Sequence, residues 1–267
     1  MRRTCLTAAV LLLSATTAQA KLEIQNIKAV HGMYGPERKN LECLPGDQVF
    51  FRFQVNGIKV DAAGKIDASI TVNLADAKGK ELLDRKSPLQ GVLALGGSSL
   101  LSNASVDFGD TVPPGEYTLT ITVKDNHSKQ TASFSRKLTC RPAEFAIVAP
   151  RLSYDAEGRV PAPPGGLVGQ ALHFYFKLIG FDKTQGKIDS EMNMEVLDAK
   201  GKPTMPNPIK ASVTTEDANT IKNTTSLTFR GNLSLNRAGE FTLRVTVTDK
   251  VAKRTTKFEV PLKVSAP

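Results

Sequence analysis

The chain holds 267 residues, with 35 Lys and Arg against 26 Asp and Glu for a formal charge of +9, and it has no Trp. That length is enough for two cores of ordinary size. The basic excess is dispersed among acids, with no basic stretch interleaved with aromatics, so nucleic acid is not expected as a partner and the charge reads as a solvated surface with at most weak attraction to acidic polymers or membranes.

Residues 1–20 have the pattern of an export signal. Arg2 and Arg3 form a positive start, Ala8 to Leu13 an apolar core, and Ala18-Gln19-Ala20 a small-x-small cleavage pattern. The apolar run is far below the roughly 20 residues of a spanning helix and no later run is longer, so no transmembrane segment is expected. The expected mature chain begins near Lys21, lacks Cys5, and carries 33 basic and 26 acidic residues for a charge of +7.

Lys21 to Val30 predicts an opening strand, followed by a long connection from His31 to Cys43 that is broken by Gly32, Gly35 and Pro36. Val49, Phe51, Phe53 and Val55 then alternate with Phe50, Arg52 and Gln54, the period of a half-buried strand. Ile66, Ala68, Ile70, Val72 and Leu74 repeat the pattern, and Ala75 to Lys80 forms a turn in which Gly79 takes positive φ. Glu81 to Ser102 supports only one or two short strands, because its apolar residues run into Gly96-Gly97. Thr111 to Gly115 is a turn by composition. Tyr117, Leu119, Ile121 and Val123 mark a further strand, and Thr131 to Thr139 the last one before Cys140.

The same pattern then recurs. Gly64-Lys-Ile-Asp and Asp76-Ala-Lys-Gly-Lys80 return as Gly186-Lys-Ile-Asp and Asp198-Ala-Lys-Gly-Lys202 at the same spacing, the mark of a tandem duplication. Leu172, Phe174, Phe176 and Leu178 match Val49 to Val55, and Phe241 to Val247 match Tyr117 to Val123. Phe258 falls on Phe134. About seven short strands in roughly 120 residues, without a helical period, predict an antiparallel sandwich for each copy. The expected division is residues 1–20 as signal peptide, 21–142 as the first domain and 143–267 as the second.

Pro114-Gly-Glu-Tyr-Thr-Leu-Thr-Ile-Thr-Val-Lys-Asp125 and Ala238-Gly-Glu-Phe-Thr-Leu-Arg-Val-Thr-Val-Thr-Asp249 resemble the penultimate strand of bacterial immunoglobulin-like, fibronectin-III-like and macroglobulin-like domains. The resemblance covers both copies and implies an all-β chain of two tandem antiparallel immunoglobulin-like β-sandwich domains after a signal peptide. It is specific for architecture and hardly at all for function. The chain departs from antibody-type domains in lacking the core Trp and the inter-sheet cysteine pair, and the exchange of Tyr117 for Phe241 predicts that a ring is needed there but its hydroxyl is not.

In an up-down sandwich the second strand starts at the pole where the seventh finishes, which brings Cys43 and Cys140 to one end. A disulfide between them is the expectation in an oxidising compartment, with two free thiols as the alternative. It would close a loop of about a hundred residues and contribute on the order of 4–5 kcal/mol in the chain-entropy picture. The link Arg141 to Glu144 is short, so restricted motion between the domains is expected, with the loops near Cys43, Asp76 and Pro113 facing those at Gly180 to Gly186 and Asp249 to Ala252.

No catalytic residue, metal ligand or cofactor site is expected. His31 and His127 lie in predicted turns and His173 on an outward strand face, so all three read as surface histidines. Nucleophile-elbow, His-Glu-x-x-His and Cys-x-x-Cys patterns are absent. The repeated pairs Asp67/Asp189, Asp76/Asp198 and Asp125/Asp249 read as turn residues, with calcium at the joint as the lesser alternative. Candidate contact loops are those where the copies differ, represented by His31, Met33 and Tyr34 in the first copy and Arg159 and Pro163 in the second. The expectation is an exported, non-enzymatic binding or structural module, periplasmic or extracellular, whose partner is a protein or an envelope polysaccharide. A chaperone-like protein donating a strand edge, and an enzyme or accessory acting on cell-wall polysaccharide, are the alternatives.

Overall fold

The structure is a computed structural model that describes residues 21–267; the expected signal peptide and Cys5 lie outside the described residues. The chain is all-β, built as two tandem sandwiches. The N-terminal sandwich comprises β1 (Glu23–Val30), β2 (Glu42–Cys43), β3 (Gln48–Asn56), β4 (Lys65–Asp76), β5 (Glu81–Val92), β6 (Ser99–Asp107), β7 (Gly115–Asp125) and β8 (Thr131–Cys140). One sheet runs β1-β3-β6 and the facing one β2-β8-β7-β4-β5. The C-terminal sandwich repeats this with β9 (Ala146–Ser153), β10 (Gly165–Leu167), β11 (Ala171–Ile179), β12 (Ile188–Asp198), β13 (Ile209–Thr215), β14 (Ser226–Ser234), β15 (Gly239–Asp249) and β16 (Arg254–Ser265). Its sheets run β9-β11-β14 and β10-β16-β15-β12-β13.

The opening segment of each copy changes sheets. β1 pairs antiparallel with β3, and the chain then crosses so that β2 runs parallel to β8; β9 and β10 do the same beside β11 and β16. Alternation explains the cores. In β3, Val49, Phe51, Phe53 and Val55 are at most 1% exposed, whereas the residues between them are half-buried. They face Ile70, Val72, Leu119 and Ile121 from the opposite sheet in one continuous core. Burying each such side chain contributes on the order of 2 kcal/mol of transfer free energy. The second core is equivalent but divided, with a main cluster around Phe176, Met192 and Val245 and a satellite of Ala162, Leu172, Leu235 and Val264.

The repeated turns are the same device twice. Asp76 Oδ1 accepts from the Lys78 and Lys80 N–H groups at 2.9 Å each, and Asp198 Oδ1 does so from Lys200 and Lys202 at 2.9 Å each. Gly79 and Gly201 adopt φ of 79° and 77°, a region that side chains resist.

Three features differ from the expectation. The two strands expected at most from Glu81 to Ser102 are present but long, β5 and β6, the latter running on to Asp107, and β5 is an edge strand exposed along both faces and so carries no alternation. β2 and β10 are too short to produce a pattern. A single-turn helix, α1 (Ala218–Asn223), is capped by Asp217, whose carboxylate accepts from the Thr220 N–H at 2.6 Å, and it buries only Ile221.

Candidate functional site

The best-built polar and aromatic constellation lies where the two sandwiches meet. β9 carries a bulge opposite β11, between the pairs Tyr175–Arg151 and Lys177–Val148, and within it Ala149 adopts a φ of 50°. This turns the Ala149 N–H toward the N-terminal sandwich, where it donates to Asp47 Oδ1 at 3.1 Å. Asp47 is 5% exposed and also accepts from its neighbour's Gln48 N–H at 2.8 Å. Its other oxygen lies 2.6 Å from the Arg38 guanidinium. Both charged side chains are almost wholly buried, at 7% and 6% exposure. Arg38 additionally donates to the Glu42 carbonyl at 2.9 Å. A buried pair of this kind is costly to desolvate and costlier to break, because the survivor is left uncompensated.

A second contact forms beside it. Asp110 accepts from Thr225 Oγ1 at 2.7 Å and Ser226 Oγ at 3.4 Å, and it sits 3.6 Å from Lys177 Nζ. The Thr225 bond heads the influences that hold the Asp110 carboxyl below the usual range, against a burial penalty that raises it. The joint is thus fixed from the Gly46–Asp47 and Asp110 turns on one side to β9, β11 and the start of β14 on the other. The Asp249 turn does not make it: Asp249 accepts from the Asp182 N–H at 2.8 Å and from Arg254 at 3.1 Å, closing its own sandwich.

The loop 31–36 lies against the second core. His31 meets Phe258 edge to face, with ring centroids 5.1 Å apart. In the first copy the matching ring, Phe134, packs internally on Phe53 at 5.5 Å. His31, Met33 and Tyr34 line a small cavity of about 30 Å³ together with Phe174, Tyr175 and Phe258. His31 is therefore half-buried at the joint and not a surface histidine, and its Nδ1 is buried without a hydrogen-bond partner. Burial, followed by the Arg38 charge, pulls its pKa from 6.5 down to about 4, with Asp47 opposing. Met33 is half-buried and Tyr34 is 38% exposed.

The two candidates of the second copy lie elsewhere. Arg159 is exposed, 3.5 Å from Glu157 and 3.8 Å from Asp155, in a loop whose backbone is gathered by the Asp155 carboxylate. That loop covers Tyr175, whose hydroxyl donates to the Asp155 and Ala156 carbonyls. Pro163 is exposed ahead of β10, and its carbonyl accepts from the Gly165 N–H at 2.9 Å. The structure brings His31, Met33 and Tyr34 together and leaves Arg159 and Pro163 apart from them.

The expected disulfide is not present. Cys43 and Cys140 are register partners on the parallel strands β2 and β8, as the pole argument required, yet both are free thiols. Each is 2% exposed and fills the core as a small apolar side chain. The Cys43 sulfur is directed to the Thr139 carbonyl at 3.7 Å and that of Cys140 to the Arg141 carbonyl at 3.8 Å. Burial pushes both thiols up. The hydroxyl at Tyr117 is also used, contrary to expectation: it donates to the Pro113 carbonyl at 2.6 Å, fixing the corner that enters β7.

Of the repeated aspartates, Asp76 and Asp198 hold turns as expected, whereas Asp67 and Asp189 lie in β4 and β12, where Asp67 accepts from Asn126 at 2.8 Å and Asp189 pairs with Lys187 at 3.1 Å. Asp125 is fully buried; its carboxylate accepts from Ser128 Oγ at 2.6 Å and from the N–H groups of Lys59 and His127 at 2.9 Å each. Burial drives its pKa up, and these hydrogen bonds outweigh it so that the net shift is down. On the outward face of β12, Glu191 lies 2.7 Å from Lys250 and Glu195 3.9 Å from Arg244, which also holds Glu259 at 2.7 Å. The Lys250 hydrogen bond lowers Glu191, and the Arg244 hydrogen bond lowers Glu259. That direction is opposite to the one a general acid at neutral pH needs. Among the described residues no group of three or more His, Cys, Asp or Glu is placed to hold a metal ion, and no helix is long and apolar enough to cross a membrane.

No protein-family model and no curated protein sequence matches the chain. Among solved structures it is similar to red sea bream transglutaminase, at 8% identity and a TM-score of 0.29 over 92% of this chain, which spans about a third (31%) of that protein. It is similar also to the C-terminal domain of the Streptococcus agalactiae AgI/II polypeptide BspA, at 9% identity and a TM-score of 0.29, covering 90% of this chain and 99% of that one.

Proposed function

We propose that the protein is an exported, non-enzymatic module of two domains, residues 21–142 and 143–267, that presents its sheet edges and polar loops to a protein or polysaccharide of the cell envelope or its surroundings. The observation that carries this reading is the joint: buried Asp47 bonded to the Ala149 N–H, Asp110 bonded to Thr225, and His31 seated on Phe258 fix two sandwiches relative to each other. A fixed pair of domains positions distant surfaces for one partner, which a flexible string would not. The carboxylates held in turns and ion pairs are occupied in ways that suit scaffold more than acid–base chemistry.

Fractionation of cells producing the full chain tests the export part, with mass spectrometry of the N-terminus. A product starting near Lys21 outside the cytoplasm is expected, and an intact Met1 product retained in the cytoplasm would refute it. For the binding part, purified residues 21–267 are sedimented with insoluble cell-wall polysaccharide and, separately, photocrosslinked in the exported fraction. Saturable retention without release of new reducing ends, or one defined crosslinked protein, is expected; release of reducing ends would make the protein an enzyme.

A strand-donating, chaperone-like role is a second reading, supported by β13. This edge strand has seven residues and no proline, whereas the matching edge β5 contains Pro88, which removes a donor from any added ladder. A crosslinker at Ser212 or Thr214 would capture many different extended client segments on this reading, and one defined folded partner or none on the first.

A further inference from the structure

The two copies close one pole with different side chains. Register equivalence pairs Leu74 with Val196, Phe108 with Leu235, Tyr117 with Phe241, and Cys43 with Gly166. In the first copy the larger set closes the pole: Phe108 packs edge to face on Tyr117 at 5.6 Å, and the Tyr117 hydroxyl ties down Pro113 in the connection 108–114. The second copy loses a methylene, an aromatic ring, a hydroxyl and a thiol at these places. Cys140 to Val264 and Val49 to Leu172 add bulk, the latter offsetting the methylene lost at Val196. The second copy's connection, 235–238, is also shorter.

The result is a cleft of about 470 Å³ whose floor is Val196, Leu235, Phe241 and Leu262. Met205 and Ile209 form one lip, and Ile209 is 44% exposed there. Asn232, Asn236 and Arg237 form the other lip, and all three are exposed. Arg237 lies over the Phe241 ring, 5.2 Å from its centroid, and among the described residues it has no carboxylate partner. No Asp or Glu lines the cleft. An apolar hollow of this size with a few polar groups on one side has the character of a small-molecule site. The one unpaired cation at its rim selects the sign of the head group.

We infer that this cleft binds a small anionic amphiphile, an aliphatic carboxylate whose chain lies on Leu235, Phe241 and Leu262 while its head meets Arg237 with Asn232 and Asn236. The inference goes beyond the module role and stands or falls separately, since it concerns one pole of the C-terminal sandwich and not the partner of the pair.

The test uses residues 21–267 with decanoate and, as a control of opposite charge and equal chain length, decyltrimethylammonium, each below its micelle concentration. Calorimetry should show saturable one-to-one binding of decanoate. Arg237→Gln should weaken decanoate about tenfold, the effect of losing one charge-assisted hydrogen bond, and should not weaken the cation. Ile209→Trp, at a position that is already exposed, should block decanoate while leaving the melting temperature unchanged. The methyl resonances of Met205 and Leu235 should shift on addition of decanoate. No saturable binding up to millimolar ligand, equal affinity for the Arg237→Gln variant, or shifts confined to other methyls would overturn the inference. So would shifts of Met205 and Leu235 that depend on protein concentration without ligand, since a second copy would then occupy the cleft.

Discussion

Tyr117 and Phe241 hold the same place in the two copies and differ by one oxygen. In the first copy that oxygen is bonded to the Pro113 carbonyl at 2.6 Å in a half-buried setting. Tyr117→Phe should therefore cost about 1 kcal/mol, read as a lower urea midpoint with an unchanged slope. His31 offers a pH-dependent counterpart. Its folded pKa lies near 4 and its ordinary value near 6.5, so the unfolded chain binds the extra proton first. The stability that neutral His31 contributes is complete above pH 6.5 and is lost as pH falls toward 4. Allowing for partial exposure, the loss between pH 7 and pH 4.5 should be on the order of 2 kcal/mol. Burial of the ring at the joint, where Phe258 of the other sandwich meets it, sets most of the shift; Arg38 of its own sandwich adds to it and Asp47 opposes it. His31→Phe retains a ring against Phe258 and should flatten the dependence in that window. Measurements kept above pH 4.5 stay clear of Asp125 and Asp110, whose depressed carboxyls withdraw their contribution only at lower pH.

At the level of strands, legibility followed burial geometry. β3, β4, β7, β11, β12 and β15 each bury one face, so alternation in the sequence marks them directly. β5 buries neither face fully, and a strand without an inside has no period to read. α1 is one turn with one buried residue, too short for a helical repeat, and its only sequence signal is the Asp217 cap ahead of Thr220. Strand direction fixes that β2 and β8 meet at Cys43 and Cys140, but whether two neighbouring sulfurs join depends on side-chain orientation, which spacing does not contain. In the folded protein both thiols should resist alkylation at pH 8, because burial raises their pKa and excludes the reagent. Mass spectrometry after brief iodoacetamide treatment should find them unmodified in buffer and both modified in denaturant. Rapid labelling in buffer would contradict the burial.

Across the whole molecule, the joint was only partly legible. The short link Arg141 to Glu144 implied closeness, and the divergence of residues 31–44 from their counterpart marked that loop as special, but the sequence holds no sign that His31 sits on Phe258 or that a bulge aims Ala149 at Asp47. Those contacts arise from how two finished surfaces meet. They should couple the sandwiches, so that calorimetry of residues 21–267 gives a single unfolding transition. Asp47→Ala removes one member of a buried ion pair and strands both Arg38 and the Ala149 N–H. It should destabilise the protein by about 3–5 kcal/mol and split the transition in two. A single transition at an unchanged temperature would mean that the joint carries no energy.

The change of sheets by the opening segment bears on how each sandwich responds to force. Because β2 runs parallel to β8, and β10 to β16, the second strand and the last strand of each sandwich are neighbours pointing the same way. Tension drawing the chain ends apart must slide these partners past one another and load their hydrogen bonds together, including those from Thr139 to Leu41 and from Arg141 to Cys43. Antiparallel end strands would instead peel open one bond at a time. Each sandwich is thus fastened in shear along the direction in which a tethered chain is pulled.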